Sequence, residues 1–454
     1  MTVGTPRITI VGLGLGDPEL LTQKSAQILR SGRVFLRSRI HPAIDAFPEF
    51  RDWQPFDHLV TSGESLESIS ASIVAELLRA SAGGPIVYAV PGHPLIDDTV
   101  RLLLSTAAES NVSVRVIPSL SILDTVATSL GVDPLSSDVQ LVDALDIVKA
   151  YEFQPYSGGL LPISPLRPAF IANVHSDGVA STVKLALLNV YPDDLLVTLL
   201  CATGTTDESA STIRLAELER QPIDQLSSLF VPAVDPYDFN RVGEGLQRIV
   251  ARLRAPGGCP WDREQTHESL TRHMLEESYE VIDAIERGTP ADLQEELGDV
   301  LLQVYLHAQI AEEAGDFCLE DVFETLSSKL VRRHPHVFGD RQISTSGDVV
   351  KAWDQIKQAE RADKDEVPPS PFSSIPASLP ALSRAQSVLR RAQSMGLAMS
   401  AGNELGDAGE RLAQRLMEIV AEADTAGIDA EQALRRWTNS TIARSEQTIQ
   451  TEKN

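Results

Sequence analysis

The chain has 454 residues and a formal net charge of −25, with 64 acidic against 39 basic side chains. That length allows two or three domains with full cores, and the acidic balance argues against a nucleic-acid or anionic-membrane surface. Cys201, Cys259 and Cys318 lie far apart and form neither a disulfide framework nor a CxxC metal motif. No basic n-region precedes ITIVGLGLG, which is too short and Gly-rich for a signal or spanning segment. The longest other apolar runs suit buried strands, so a cytoplasmic protein is expected.

Residues 7–235 alternate strand-like and helix-like runs, the pattern of an α/β domain. RITIVGLGLGDPELLT begins as a strand, turns through Gly12, Gly14 and Gly16, and enters a helix near Asp17-Pro18. LTQKSAQILRSG has helical spacing and stops at Gly32, before RVFLRS as a second strand. PIVYAVPGHPLIDDTVRLLL repeats the plan: a strand at 86–90, the turn Pro91-Gly92-His93-Pro94, then a helix. NVSVRVIPSLSILDTVATSLG does so again, and the stretch from Ala180 to Leu218 supplies a helix, a buried strand and a further strand. A glycine turn after a first strand lets backbone approach a ligand and lets helix N–H groups meet an anion. GLGLGD, however, has GxGxG spacing and not the dinucleotide fingerprint GxGxxG, so a structural tight turn explains it equally well.

Together, IVGLGLGDPELLT, VYAVPGHPL, VIPSLSILDTV and VKLALLNVYPDDLLVTLL resemble the tetrapyrrole methylase superfamily, and more closely its branch fused to a MazG domain in bacteria. The resemblance implies two α/β lobes with S-adenosylmethionine in the cleft between them. Pro91, Gly92 and His93 would line that cleft, with Gly12, Gly14 and Asp17 nearby. The chain departs from the superfamily's usual text at Pro91-Gly92-His93-Pro94 and at Pro118-Ser119-Leu120-Ser121.

After a short join, apolar spacing from Arg241 to Leu253 predicts a helix, and the stretch from Gly257 to Asp340 carries the chemistry. Leu275, Tyr279, Ile282 and Ile285 recur at helical spacing before Gly288; Leu293, Leu297, Val300, Leu301 and Val304 do so after Pro290. Two helices joined by so short a turn run antiparallel. Residues three apart share a face, which pairs Glu277 with Glu280 and Glu296 with Asp299. Four carboxylates brought together repel unless a cation sits between them. Oxygen donors without nearby Cys favour Mg²⁺, or Mn²⁺, over zinc. A solvated acidic helix face is the competing reading.

Lys329, Arg332, Arg333, His334 and His336 lie in KLVRRHPHVF, at the end of a third helical run from Leu319 to Arg333. Lys329 and Arg333 are i,i+4 neighbours able to grip one polyphosphate, and Arg332 joins them as a candidate nucleotide contact. Trp353 and Lys357 repeat that spacing and put an aromatic plane beside an ammonium. Basic residues at a helix C-terminus also answer the helix dipole, but a divalent metal opposite a basic cluster favours phosphoryl chemistry.

GCPWDREQTH, LEESYEVIDAI, LQEELGDVLLQV, KLVRRHPHVFGD and KAWDQIKQAER, in that order, resemble the MazG family of nucleoside triphosphate pyrophosphohydrolases. The family pattern EExxE…ExxD is met without a gap. The resemblance implies an all-α fold, a homodimer through the MazG helices, and Mg²⁺-dependent hydrolysis of nucleoside triphosphates to monophosphate and pyrophosphate. It implies Glu277, Glu280, Glu296 and Asp299 as metal ligands and Lys329, Arg333, Trp353 and Lys357 as nucleotide contacts. Glu276 stays open between a ligand and a supporting role. As a carboxylate not wholly used as a ligand, it is the candidate acceptor of the attacking water's proton.

ERADKDEVPPSPFSSIPASLP reads as an extended linker. Beyond it, SLPALSRAQ and DAEQALRRWTNSTIAR resemble the start and end of a second MazG repeat in which only Glu404 and Asp407 echo ExxD. The chain is therefore expected to be multidomain. A tetrapyrrole-methylase-like α/β domain spans 1–235, an all-α MazG domain 236–360, a Pro/Ser-rich linker 361–380 and a degenerate helical repeat 381–454. Two other functions stay open: a methyltransferase whose MazG part is a dimerisation or regulatory module, and a nucleotide sensor without turnover.

Overall fold

The computed structural model describes residues 7–60, 66–152, 161–205, 207–224, 226–340, 342, 345, 347–349, 352–353, 356, 360, 370–397 and 407–452. By packing, the chain divides into a unit ending at Leu319 and one beginning at Glu320.

The first unit begins with β1 (Ile8–Gly12), α1 (Gln23–Ser31), β2 (Val34–Leu36), β3 (Gln54–Pro55), α2 (Asp57–Val60), α3 (Leu66–Ala82), β4 (Ile86–Val90), α4 (Asp98–Glu109) and β5 (Val114–Ile117). The five strands form one parallel sheet in the order β3-β2-β4-β1-β5. Successive strand residues point to opposite faces, and both faces of this sheet are covered. Ile8, Ile10, Tyr88 and Val90 pack with Ile73 and Leu77 of α3 and Val100 and Leu103 of α4. Val11, Val87 and Ala89 pack on the other side with Leu29 of α1, Ile44 and Trp53. A strand covered twice must be apolar throughout, and β4 is buried at every residue.

A second sheet follows: α5 (Ile122–Leu130), β6 (Gln140–Asp143), α6 (Ala144–Glu152), β7 (Ala169–Ala172), α7 (Asp177–Leu187), β8 (Leu196–Cys201), β9 (Ser209–Arg214) and β10 (Ser228–Val231). Its order is β6-β7-β10-β8-β9, and every pairing but β6 with β7 is antiparallel. The two lobes expected from the first half of the sequence are present. Asp17 N–H donates to Gly204 C=O at 3.2 Å, tying the first glycine turn to a loop of the second lobe.

The chain then turns wholly helical: α8 (Gly243–Arg254), α9 (Pro260–Glu264), α10 (His267–Arg287) and α11 (Pro290–Ala314). Thr266 caps α10 and Thr289 caps α11, so Gly288 and Thr289 alone separate the two helices. Val250, Leu270, Tyr305, Leu306, Ala308 and Leu319 form the core beneath them.

α12 (Leu319–Arg333) leads into the second unit, followed by α13 (Pro335–Phe338), α14 (Ala381–Ser394), α15 (Ala408–Thr425) and α16 (Ala430–Glu452). Gln386 is 3% exposed and holds the last three helices together. Its amide donates to Asp424 Oδ1 (2.9 Å) and Ile428 C=O (2.8 Å), and its oxygen accepts from Ala430 N–H at 3.2 Å. Among the described residues no helix is long and apolar enough to cross a membrane.

Candidate active site

The hairpin of α10 and α11 is antiparallel: His267, opening α10, meets His307, deep in α11. That folding brings Glu277, Glu280 and Glu296 together, each offering a carboxylate oxygen within 4.8 Å of the others. Burial, a hydrogen bond with Glu280 and the charges of Asp299, Glu280 and Glu296 push the Glu277 carboxyl up. Glu296 is also raised, by burial first and then by Glu280 and Asp299. Asp299 thus acts on both residues electrostatically while lying outside the close triad. Crowded oxygen donors that resist sharing negative charge fit a divalent cation.

Glu276 is turned elsewhere. Its carboxylate lies 3.3 Å from Arg272 Nε and 3.3 Å from His273 Nδ1, and His273 meets Trp261 edge to face. The apolar stripe that accompanies the carboxylates is only partly covered in the single chain. Leu275, Tyr279, Ile285, Leu297 and Leu301 remain exposed.

In the second unit, Lys329 is half-buried on α12, and Arg332 and Arg333 end that helix. Trp353 stands edge to face with His334, ring centroids 5.1 Å apart and planes at 82°, while His334 Nδ1–H donates to Leu330 C=O at 2.7 Å. Lys357 lies outside the described residues. Sequence reasoning missed Glu360, which pairs with both arginines. Two adjacent arginines without a nearby acid in sequence were the available signal.

In the first unit the six residues expected to line a cofactor cleft lie at the C-terminal edge of the parallel sheet, Gly12 ending β1 and the other five on the loops beyond β1 and β4. Gly92 N–H donates to Gly14 C=O at 2.8 Å, and Ser119 Oγ–H donates to Gly92 C=O at 2.7 Å. His41 is buried beside them with Nε2 3.0 Å from Gly14 C=O; a carbonyl only accepts, so Nε2 carries the proton. Burial holds its pKa below the ordinary value, against the Gly14 hydrogen bond. Gly14 and Gly92 have φ of +70° and +63°, and a Cβ on either would meet nothing within 4 Å. Open space above two glycine turns fits a ligand lying against backbone. Asp17 caps the following turn through Glu19 N–H (2.8 Å), His93 Nδ1 accepts from Leu95 N–H (3.3 Å), and Pro91 is exposed.

A two-lobed α/β domain joined to a helical hairpin with a carboxylate triad defines a two-part protein, one part suited to a cofactor and the other to a cation. The family model of the MazG nucleotide pyrophosphohydrolase domain matches residues 265–338, and that of the Tetrapyrrole (Corrin/Porphyrin) Methylases matches residues 7–219. The chain is 37% identical over 391 residues to the uncharacterized protein YabN of Bacillus subtilis (strain 168), covering 84% of this chain and 76% of that one. It is 44% identical to the nucleoside triphosphate pyrophosphohydrolase of Escherichia coli (strain K12), over 40% of this chain and 68% of that protein. It is 39% identical to the nucleoside triphosphate pyrophosphohydrolase/pyrophosphatase MazG of Thermotoga maritima, over 44% of this chain and 83% of that protein. The chain belongs to the MazG family, in the branch that carries a tetrapyrrole methylase domain at its N-terminal side.

Proposed function

We propose that this protein hydrolyses nucleoside triphosphates to nucleoside monophosphate and pyrophosphate with Mg²⁺, Mn²⁺ substituting, and so clears unwanted nucleotides from the cytoplasmic pool. The observation that carries the reading is the convergence of Glu277, Glu280 and Glu296 within 4.8 Å. These three, with Asp299, would hold the metal, which when bound polarises the phosphates and lowers the pKa of an attacking water. Lys329 and Arg333 offset charge developing on the phosphates, and Arg332 adds a further contact. Trp353 and Lys357 contact the nucleotide. Glu276 is the acceptor for the water's proton, after exchanging its contacts with Arg272 and His273. The exposed stripe on α10 and α11 is where a second copy would dock to form a homodimer.

The N-terminal domain binds S-adenosylmethionine or its demethylated product over Gly12, Gly14, Asp17, Pro91, Gly92 and His93 in this reading, the open space above Gly14 and Gly92 supporting it. Product analysis tests the whole scheme. A screen of ribo- and deoxynucleoside triphosphates with Mg²⁺ should yield pyrophosphate and monophosphate. Release of S-adenosylhomocysteine with no pyrophosphate from any nucleotide would instead favour a methyltransferase whose helical part is a dimerisation or regulatory module.

A further inference from the structure

Arg332 and Arg333 follow one another at the end of α12, where consecutive side chains diverge by about 100°. Both nevertheless reach one carboxylate. Arg332 Nε–H donates to Glu360 Oε1 at 2.7 Å; Arg333 donates through Nε to Oε1 at 3.3 Å and through Nη2 to Oε2 at 2.6 Å. Glu360 is 19% exposed, against 24% for Arg333 and 55% for Arg332. The two guanidiniums, Arg333 foremost, hold its carboxyl down at about 2, so it stays ionised wherever the protein works.

The way the carboxylate is gripped sets which guanidinium N–H groups remain. Glu360 holds Arg332 through Nε alone and Arg333 side-on through Nε and Nη2. Among the described residues, Nη1 of Arg333 and both Nη atoms of Arg332 have no other partner. Two positive charges against one negative leave a net positive charge for an incoming anion. A flexible arginine loses rotamer freedom when it binds phosphate, and one already fixed in plane loses less.

We propose that Glu360 is a positioning residue for phosphate recognition, locking Arg332 through Nε and Arg333 through Nε and Nη2 so that their remaining N–H groups face a polyphosphate. This rests on the reading that these arginines contact the nucleotide, and it adds a specific carboxylate on which that contact depends. An amide at this position accepts through one atom only and places its own NH₂ against a guanidinium, so Gln does not replace Glu.

The test uses the full chain with Glu360→Ala, Glu360→Gln and Glu360→Asp. KM and kcat for pyrophosphate release are measured with Mg²⁺, together with calorimetric Kd for an α,β-methylene nucleoside triphosphate and a thermal melt. KM and Kd should rise about tenfold or more in the Ala and Gln variants, the scale on which supporting residues act. Glu360→Asp should fall nearer wild type, and melting should stay unchanged. Unchanged KM and Kd would overturn the proposal, and a fall in both would make Glu360 a competitor of phosphate. Lower melting with fewer active molecules at constant KM would reduce the contact to a structural one. Wild-type protein that neither cleaves nor binds nucleotide sinks the functional reading and this proposal together. Wild type and variants binding the analogue equally sinks the proposal alone.

Discussion

His267 and His307 lie with Nδ1 atoms 2.7 Å apart and rings parallel within 3°. One nitrogen must donate and the other accept, so the pair joins the hairpin only while one of them is neutral. Burial, then the charge of His267, lowers the His307 pKa below its ordinary 6.5. A depressed folded pKa means that the unfolded chain binds more protons between the two values. The stability is therefore present above about pH 6.5 and lost as pH falls through the folded value. Melting temperature should drop by a few degrees, about 2–4 °C for each kcal/mol lost, between pH 7.5 and 5.5. His307→Asn should flatten that slope; an identical slope in the variant would remove His307 as its source.

The carboxylate triad has the opposite sign. Glu277 and Glu296 are raised by burial first and then by neighbouring acids, so their contribution is full below the ordinary carboxylate range and is lost as pH rises through the folded values. In EDTA the apo protein should lose stability across that window, and Mg²⁺ should restore it at neutral pH. Glu296→Gln should remove the Mg²⁺-induced rise in melting temperature and cut turnover by more than the about 10–100-fold typical of supporting residues. Near-normal Mg²⁺-dependent turnover in Glu296→Gln would show that the cation lies elsewhere.

Gly12 and Gly14 are two residues apart and should fail in different ways. A Cβ on Gly12 would lie 2.1 Å from Ser119 Oγ and 2.4 Å from Gly92 O, and the second of these is backbone that cannot step aside. Gly12→Ala should destabilise the domain by about 1–3 kcal/mol, as overpacking does. A Cβ on Gly14 meets nothing, so Gly14→Ala carries only the left-handed penalty of roughly 1–2 kcal/mol. It should still abolish binding of S-adenosylmethionine and S-adenosylhomocysteine in calorimetry, because the methyl group enters the ligand's space. Wild-type affinity in Gly14→Ala would place the ligand away from this turn.

The hairpin was legible because its signals are local. Leu275 to Ile285 and Leu293 to Val304 keep helical spacing, and Gly288, Thr289 and Pro290 stop one helix and start the next. α12 was legible in the same way, from Leu319 to Arg333. The second sheet was less so. β8 and β9 were read as a buried and a further strand, but β6, β7 and β10 are four residues each and join the sheet only through pairing, which leaves little alternation to read. Glu360 and His307 were invisible for a related reason. Their partners lie 27 and 40 residues away, and charge or ring chemistry alone does not say which distant side chain will answer it.

The C-terminal helices yield a sharper claim about what the chemistry does not need. Asp407, which echoes a metal-binding aspartate in the sequence, is the N-cap of α15, its Oδ1 accepting from Glu410 N–H at 2.9 Å. Glu404 lies outside the described residues, and among those described only one group of acids could share a cation. α15 and α16 meanwhile expose Leu412, Leu416, Ile419, Leu434 and Trp437. An apolar stripe of that kind has to be covered by something. A chain ending near Pro368 keeps Glu277, Glu280, Glu296, Asp299, Lys329, Arg333, Trp353 and Lys357. Pyrophosphate release per folded subunit should therefore persist, while light scattering should report a changed oligomer or lower solubility. Within the full chain, Gln386→Ala leaves Asp424, Ile428 C=O and Ala430 N–H without their shared partner, at about 1–3 kcal/mol. It should reproduce the oligomer change with turnover intact. Loss of turnover in a truncation that remains folded and dimeric would mean that residues 381–454 complete the active site.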